Sequence, residues 1–264
     1  MTRFKIQRST IGNCGASLAA AVLILALPLT AKAQGWDVSL GAGVGVAPDY
    51  EGSDDYEAVP VLLARAQNGN RYIDLTGTTL SANLLGGPTF VAGPLLNYRK
   101  KRNNVDDNAV DDLDKVDAAI ELGGFVGINY LGWLGKVSVS HDVNNAHDGF
   151  LVDLSAGYRA KLAPGWSWGG TVSTTYADSD YMDTYFSIDA GDSAASGLDQ
   201  FDADKGFKDI GLNLNVAWGH DVGWGVTAIG SYTRLLDDAE DSPVVDDSGD
   251  ENQLFGGLAV TYAF

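Results

Sequence analysis

Cysteine is nearly missing from this 264-residue chain: Cys14 is the single one, and it precedes the apolar stretch of an N-terminal leader. A lipoprotein would carry it after that stretch, so Cys14 leaves with the leader, and disulfide, thiolate-metal and thiol chemistry are excluded from the remainder. Long apolar runs are also lacking. Beyond the leader no stretch approaches the roughly 18 uninterrupted apolar residues that a membrane-crossing helix needs. Positive charge is scarce, with 17 Lys and Arg against 35 Asp and Glu. A nucleic-acid partner is excluded on that ground, because nothing would neutralise its phosphates.

The leader has the three parts of a secretory signal. Arg3, Lys5 and Arg8 form the basic region, residues 16–27 are apolar, and Ala31-Lys32-Ala33 is a small-x-small cleavage site. Residues 1–33 are therefore expected to be removed, with cleavage near Ala33 and residues 34–264 forming one domain. The leader holds four of the 17 basic residues and no acidic ones, which leaves 13 against 35 and a net charge of −22.

What remains alternates. In 36–46, Trp36, Val38, Leu40, Ala42, Val44 and Val46 share one face, and Asp37, Ser39 and three glycines share the other. Successive strand side chains point to opposite faces, so this pattern suits a strand with lipid outside and a small, polar interior. Further strands are expected over 59–66, 71–76, 78–85, 89–99, 118–130, 136–143, 150–162, 166–177, 208–219, 224–236 and 254–264. The fold class is all-β: a transmembrane antiparallel up-and-down barrel of about twelve strands, in the outer membrane of a Gram-negative bacterium. Gly93-Pro94 predicts a bulge, since proline cannot donate to a ladder. Asn68-Gly69 reads as a hairpin turn.

Connections alternate short and long, as tight periplasmic turns and longer extracellular loops would. The long segments 47–58, 100–117, 178–207 and 237–251 hold 27 of the 35 acids, and they read as irregular, solvated loops. All six tryptophans (Trp36, Trp133, Trp166, Trp168, Trp218, Trp224) fall near periplasmic strand ends, with Tyr98, Tyr176 and Tyr232 near the other end. Amphipathic rings prefer the two membrane interfaces. The last strand ends on Tyr262 and Phe264, in the manner of the signal by which outer-membrane barrels are recognised for insertion.

Candidate chemistry is thin. His141, His147 and His220 are each followed by Asp, but neighbouring strand residues face opposite ways, so that Asp cannot orient its His as a triad needs. The histidines read as solvated or interfacial, no catalytic residue is assigned, and the chain is expected not to be an enzyme. Asp202 to Asp204 and Asp246 to Glu251 resemble calcium-binding stretches without the full ligand spacing, so no metal or cofactor is assigned. Arg99, Lys100, Lys101 and Arg102 are a candidate contact for lipopolysaccharide phosphates, or else partners for the acids of their own loop. Asp37, Glu121, Asp153, Arg159 and Lys161 face inward. Twelve strands lie between a filled barrel and an open channel, so a narrow porin-like channel for small solutes and a closed barrel both stay open.

Two terminal stretches go beyond generic barrel pattern. GVGVAPDYEGSDDYEAVP (43–60) and YTRLLDDAEDSPVV (232–245), with Gln253 and GGLAVTYAF behind them, resemble the MipA/OmpV family, as do Gly93-Pro94 and Tyr98. The motif positions are Pro48, Tyr50, Glu51, Gly52, Ser53, Arg234, Leu235, Leu236, Ser242 and Pro243. The resemblance implies an outer-membrane barrel, surrounded by lipid and lipopolysaccharide. It also implies a scaffold that docks a periplasmic murein transglycosylase and a peptidoglycan synthase, and it brings no catalytic residues.

Overall fold

A computed structural model describes residues 35–264; residues 1–34, with the expected leader and its cleavage site, lie outside the described residues. Twelve strands follow in chain order: β1 (Asp37–Pro48), β2 (Tyr56–Asn68), β3 (Arg71–Thr76), β4 (Thr79–Asn83), β5 (Phe90–Arg99), β6 (Ala119–Tyr130), β7 (Trp133–Asp142), β8 (Phe150–Ala163), β9 (Trp166–Ala177), β10 (Gly206–Trp218), β11 (Gly223–Leu235) and β12 (Asn252–Ala263). Each pairs antiparallel with its sequence neighbours, and β12 pairs with β1 to close the ring. Closure satisfies backbone hydrogen bonds inside hydrocarbon, where water cannot. The outward set is apolar and exposed, as in Leu122, Val126 and Ile128 on β6 and Leu212, Leu214 and Val216 on β10.

Most strand limits agree with the sequence expectation within three residues. β2 begins at Tyr56 and not at residue 59, because β1 runs on to Pro48 and pairs with it, Pro48 opposite Tyr56. β7 begins at Trp133 and not at residue 136, because Leu131 and Gly132, both at positive φ, make a two-residue turn. The bulge expected at Gly93-Pro94 is absent from the β5–β6 register, where Pro94 sits opposite Gly124. Proline acts on the other side, where the β4–β5 ladder stops at Ser81 opposite Leu95. Beyond that point the Asn83 side chain accepts from the Ala92 N–H at 3.0 Å, replacing a ladder bond.

β3 and β4 make a short hairpin. Its crest is pinned on both sides, by Gly77 N–H to Leu62 O (2.9 Å) and Tyr98 N–H to Thr78 O (3.1 Å). Above it, Tyr56 to Val61 of β2 pair with β1 alone. Pro60 lies on this unpaired edge, in phase with Leu62, so one missing donor falls where no acceptor stands. Lys100 reaches back over the gap, bonding Asp49 Oδ1 (2.8 Å) and the Glu57 carboxylate.

The long loops are not dispersed. They fold into a cap with helices α1 (Asn108–Asp111), α2 (Ser179–Phe186), α3 (Ala190–Ser196), α4 (Asp238–Asp241) and α5 (Pro243–Asp246). Asp107, Asp178 and Asp189 accept from the first free N–H groups of α1, α2 and α3, and Ser242 does so for α5. Such caps contribute about 1 kcal/mol each, which gives part of the acid content a structural use. The apolar core lies here as well: Tyr181, Met182, Phe186, Leu235 and Val245 form one buried cluster, and Tyr50, Val110, Leu113, Ile188 and Val244 another.

Candidate functional site: a lumen capped at one end

A cavity of about 1140 Å³ runs down the barrel from Arg99, Glu121 and Leu151 beneath the cap to Lys161, Ser167 and Trp168 near the other end. That far end carries the six tryptophans and the tight turns, and by the rule for these barrels it is the periplasmic end. Rings meet there in pairs, Trp133 tilted against Tyr158, and Trp224 with Tyr262 and Tyr262 with Phe264 edge to face, each at 5.0 Å between centroids. A second space of about 450 Å³, lined by Gly165, Ser167, His220 and Ala263, opens beside the first at the same end.

The cap meets the wall through a chain of ion pairs. Glu51, in the first loop, is bonded by Lys208, by the Tyr181 hydroxyl (2.5 Å), and at 3.7 Å by Arg99. Arg99 Nε donates to Glu121 at 2.7 Å and its guanidinium lies 4.9 Å over the Tyr181 ring. Asn97 donates to the other Glu121 oxygen at 3.0 Å, and His147 Nε2 stands 3.4 Å from the first. Lys208 also bonds Asp209 at 2.8 Å. Burial alone would raise the Glu51 carboxyl; Lys208 and Arg99 beside it, with hydrogen bonds from Lys208 and Tyr181, hold it down at about 2. Burial pushes the Tyr185 hydroxyl up to about 12.

Two residues of this network stand where the sequence did not point. Strict alternation from Ile210 would turn Lys208 to lipid, but the register shifts between Phe207 and Asp209. That bulge buries Lys208 and Asp209 side by side. His147, expected among solvated or interfacial histidines, is fully buried beside Tyr181 and Tyr185. Of the basic run, Arg99 and Lys100 are tied to carboxylates and Arg102 is buried, donating to Tyr185 O at 2.7 Å. Lys101 alone of the four is exposed without an ion pair among the described residues.

The terminal stretches meet at the β1–β12 closure. Gly52 has φ +102°, and a Cβ there would lie 2.6 Å from Val245. Its N–H donates to Gln253 Oε1 (3.3 Å), its carbonyl accepts from Asp250 N–H (2.9 Å), and Ser53 bridges Gly249. Tyr50 donates to Ser248 O (2.8 Å), and Arg234 pairs with Glu240 (2.5 Å) and Glu251 (3.2 Å). Ser242 donates to Phe186 O at 2.6 Å, with Pro243 at the start of α5. Leu235 is buried, Leu236 N–H donates to Lys208 O (2.9 Å), and Pro48 ends β1. The sequence profile described as MltA-interacting protein MipA matches residues 40–264.

The chain belongs to the MipA family. It is 26% identical to the MltA-interacting protein of Escherichia coli K12, over 88% of this chain and 92% of that one. It is 29% identical to outer membrane protein OmpV of Vibrio cholerae, over 60% of this chain and 59% of that one. Among solved structures, an outer membrane channel of Pseudomonas putida F1 covers 87% of this chain and 96% of its own, with a TM-score of 0.44 and 11% identity. For this MipA-family chain, the motif positions of the first and last loops are the stitches that join those loops where the ring closes.

Proposed function

We propose that this chain is a non-enzymatic outer-membrane scaffold that holds a murein transglycosylase and a peptidoglycan synthase at the inner face of the outer membrane. The observation that carries the reading is the asymmetry of the two mouths. The outer one is covered by a folded cap, and the periplasmic one has short turns around a polar lumen. Likeness to the E. coli MltA-interacting protein supports a transglycosylase as the partner. With such short turns, the partner's surface is the ring of periplasmic turns and the mouth they encircle. A tagged chain drawn from envelope extracts should bring down a lytic transglycosylase. Recovery of no murein hydrolase or synthase would contradict the scaffold.

The size and polarity of the lumen favour one second reading, a narrow channel for small solutes. Planar bilayers would then show discrete conductance steps, and their absence removes it. In either role the leader is cleaved near Ala33 and Tyr262 with Phe264 serve as the insertion signal. Of the basic run, Lys101 is the residue free to meet lipopolysaccharide phosphates.

A further inference from the structure

Arg65 on β2 and Arg159 on β8 stand six strands apart in a ring of twelve, on opposite walls. Yet both line one pocket of about 240 Å³, with Tyr72, Asn129 and Lys136. Their side chains therefore converge across the lumen, and Lys161 continues the row toward the periplasmic end. Of the two carboxylates nearby, Asp74 is charge-paired and Asp153 is bonded by hydroxyls alone. Asp74 takes Arg65 at 3.0 Å and the Thr76 hydroxyl at 2.8 Å, and Asp153 takes the Thr175 hydroxyl at 3.1 Å. Lys136, Arg159 and Lys161 have no carboxylate within 4.0 Å among the described residues. Lys136 Nζ rests 5.9 Å over the Phe125 ring.

In a chain of net charge −18, three cations without an ion pair gathered in one cavity are a local inversion of sign. Their fields add within the confined lumen; Asp153, bonded only by hydroxyls, offsets part of that charge, and a counter-charge from outside the chain would offset the rest. The acids at that rim are Asp37, at the start of β1 beside the strand of Arg65, and Asp221 in the turn between β10 and β11. Guanidinium forks match carboxylates in pairs. The acid-rich cap repels anions at the outer mouth, so the route in is periplasmic.

We propose that the lower lumen is a periplasm-facing binding site for a multivalent carboxylate anion, held by Lys136 and Arg159 with Arg65 and Lys161 as flanking charges. The site does not depend on the scaffold reading, since it needs no enzyme partner.

The test is calorimetric titration of the refolded full-length barrel in detergent with citrate as probe, at low and at physiological salt. Citrate should bind and weaken with salt, and the Lys136→Ala/Arg159→Ala double variant should lose about tenfold or more in affinity. Arg159→Lys, which keeps the charge but loses the fork, should fall between wild type and Arg159→Gln. Heat-modifiable gel mobility identifies folded barrels; should the double variant fail it, Arg159→Gln alone is read, with a loss of about fivefold expected. No citrate binding, or equal affinity in wild type and variant, overturns the site. Inorganic phosphate binding tighter than citrate overturns the carboxylate assignment in favour of a phosphate ligand.

Discussion

Under the cap, Glu51, Arg99, Glu121 and Lys208 are tied into one chain of ion pairs; farther down the same lumen, Lys136, Arg159 and Lys161 face water with no carboxylate beside them. The first arrangement is self-sufficient. Its charges are matched in pairs because they are withdrawn from water, and removing one partner would leave another buried and unpaired. The second has no partner of its own, which is tolerable because its three side chains stay exposed. The contrast separates two uses of charge in one cylinder: the upper set fastens loops to the wall, and the lower set waits for a ligand.

The comparison breaks most readily at the cap. Phe186 is fully buried in its core, so Phe186→Ala should destabilise the cap by roughly 3–5 kcal/mol. Proteolysis within 178–207 would then accelerate with the barrel still folded; unchanged protection would show that these helices do not depend on that core. Glu51→Ala should follow at roughly 3 kcal/mol, because Lys208 and Arg99 lose their shared partner. Hydrogen exchange over α2 is the readout, and it should rise.

Acid sharpens the same point. The Glu51 carboxyl is depressed from 4.5 to about 2 in the folded chain, so its contribution is complete above pH 4.5 and is lost as the pH falls toward 2. That difference is worth about 3 kcal/mol, and Glu51→Gln should flatten the acid limb of cap stability. A smaller effect, about 1 kcal/mol, is expected for Asp189→Ala, which removes the cap of α3. Lys100→Ala should be smallest, below about 1 kcal/mol, since its pairs are partly exposed. Its mark would be faster exchange along Tyr56 to Val61, where β2 lacks an outer neighbour.

The wall was legible in the sequence because lipid imposes a strict rule on it. Every second residue of β1, β6 and β10 must be apolar, and aromatic rings must collect at the interfaces, so alternation alone located the strands. The cap obeys no such rule. Helices of four to eight residues are too short for a persistent period, and the aspartates that cap them read as solvated acid. One signal was available in 178–207: Tyr181, Met182, Tyr185 and Phe186 are spaced to share a helical face, and all four are buried. Lys208 was hidden for a different reason, since a bulge breaks the alternation used to assign faces. The unpaired lumenal cations were visible as residues, but their convergence from opposite walls needed the register of all twelve strands.

A lumen shut to the outside and open to the periplasm is testable with a thiol, because no cysteine follows Cys14. Ser155 lines the cavity on β8, and Ser155→Cys provides a single label site there. An impermeant maleimide should leave that thiol unmodified on intact cells and modify it once the outer membrane is permeabilised. Equal labelling rates in the two preparations would contradict the account.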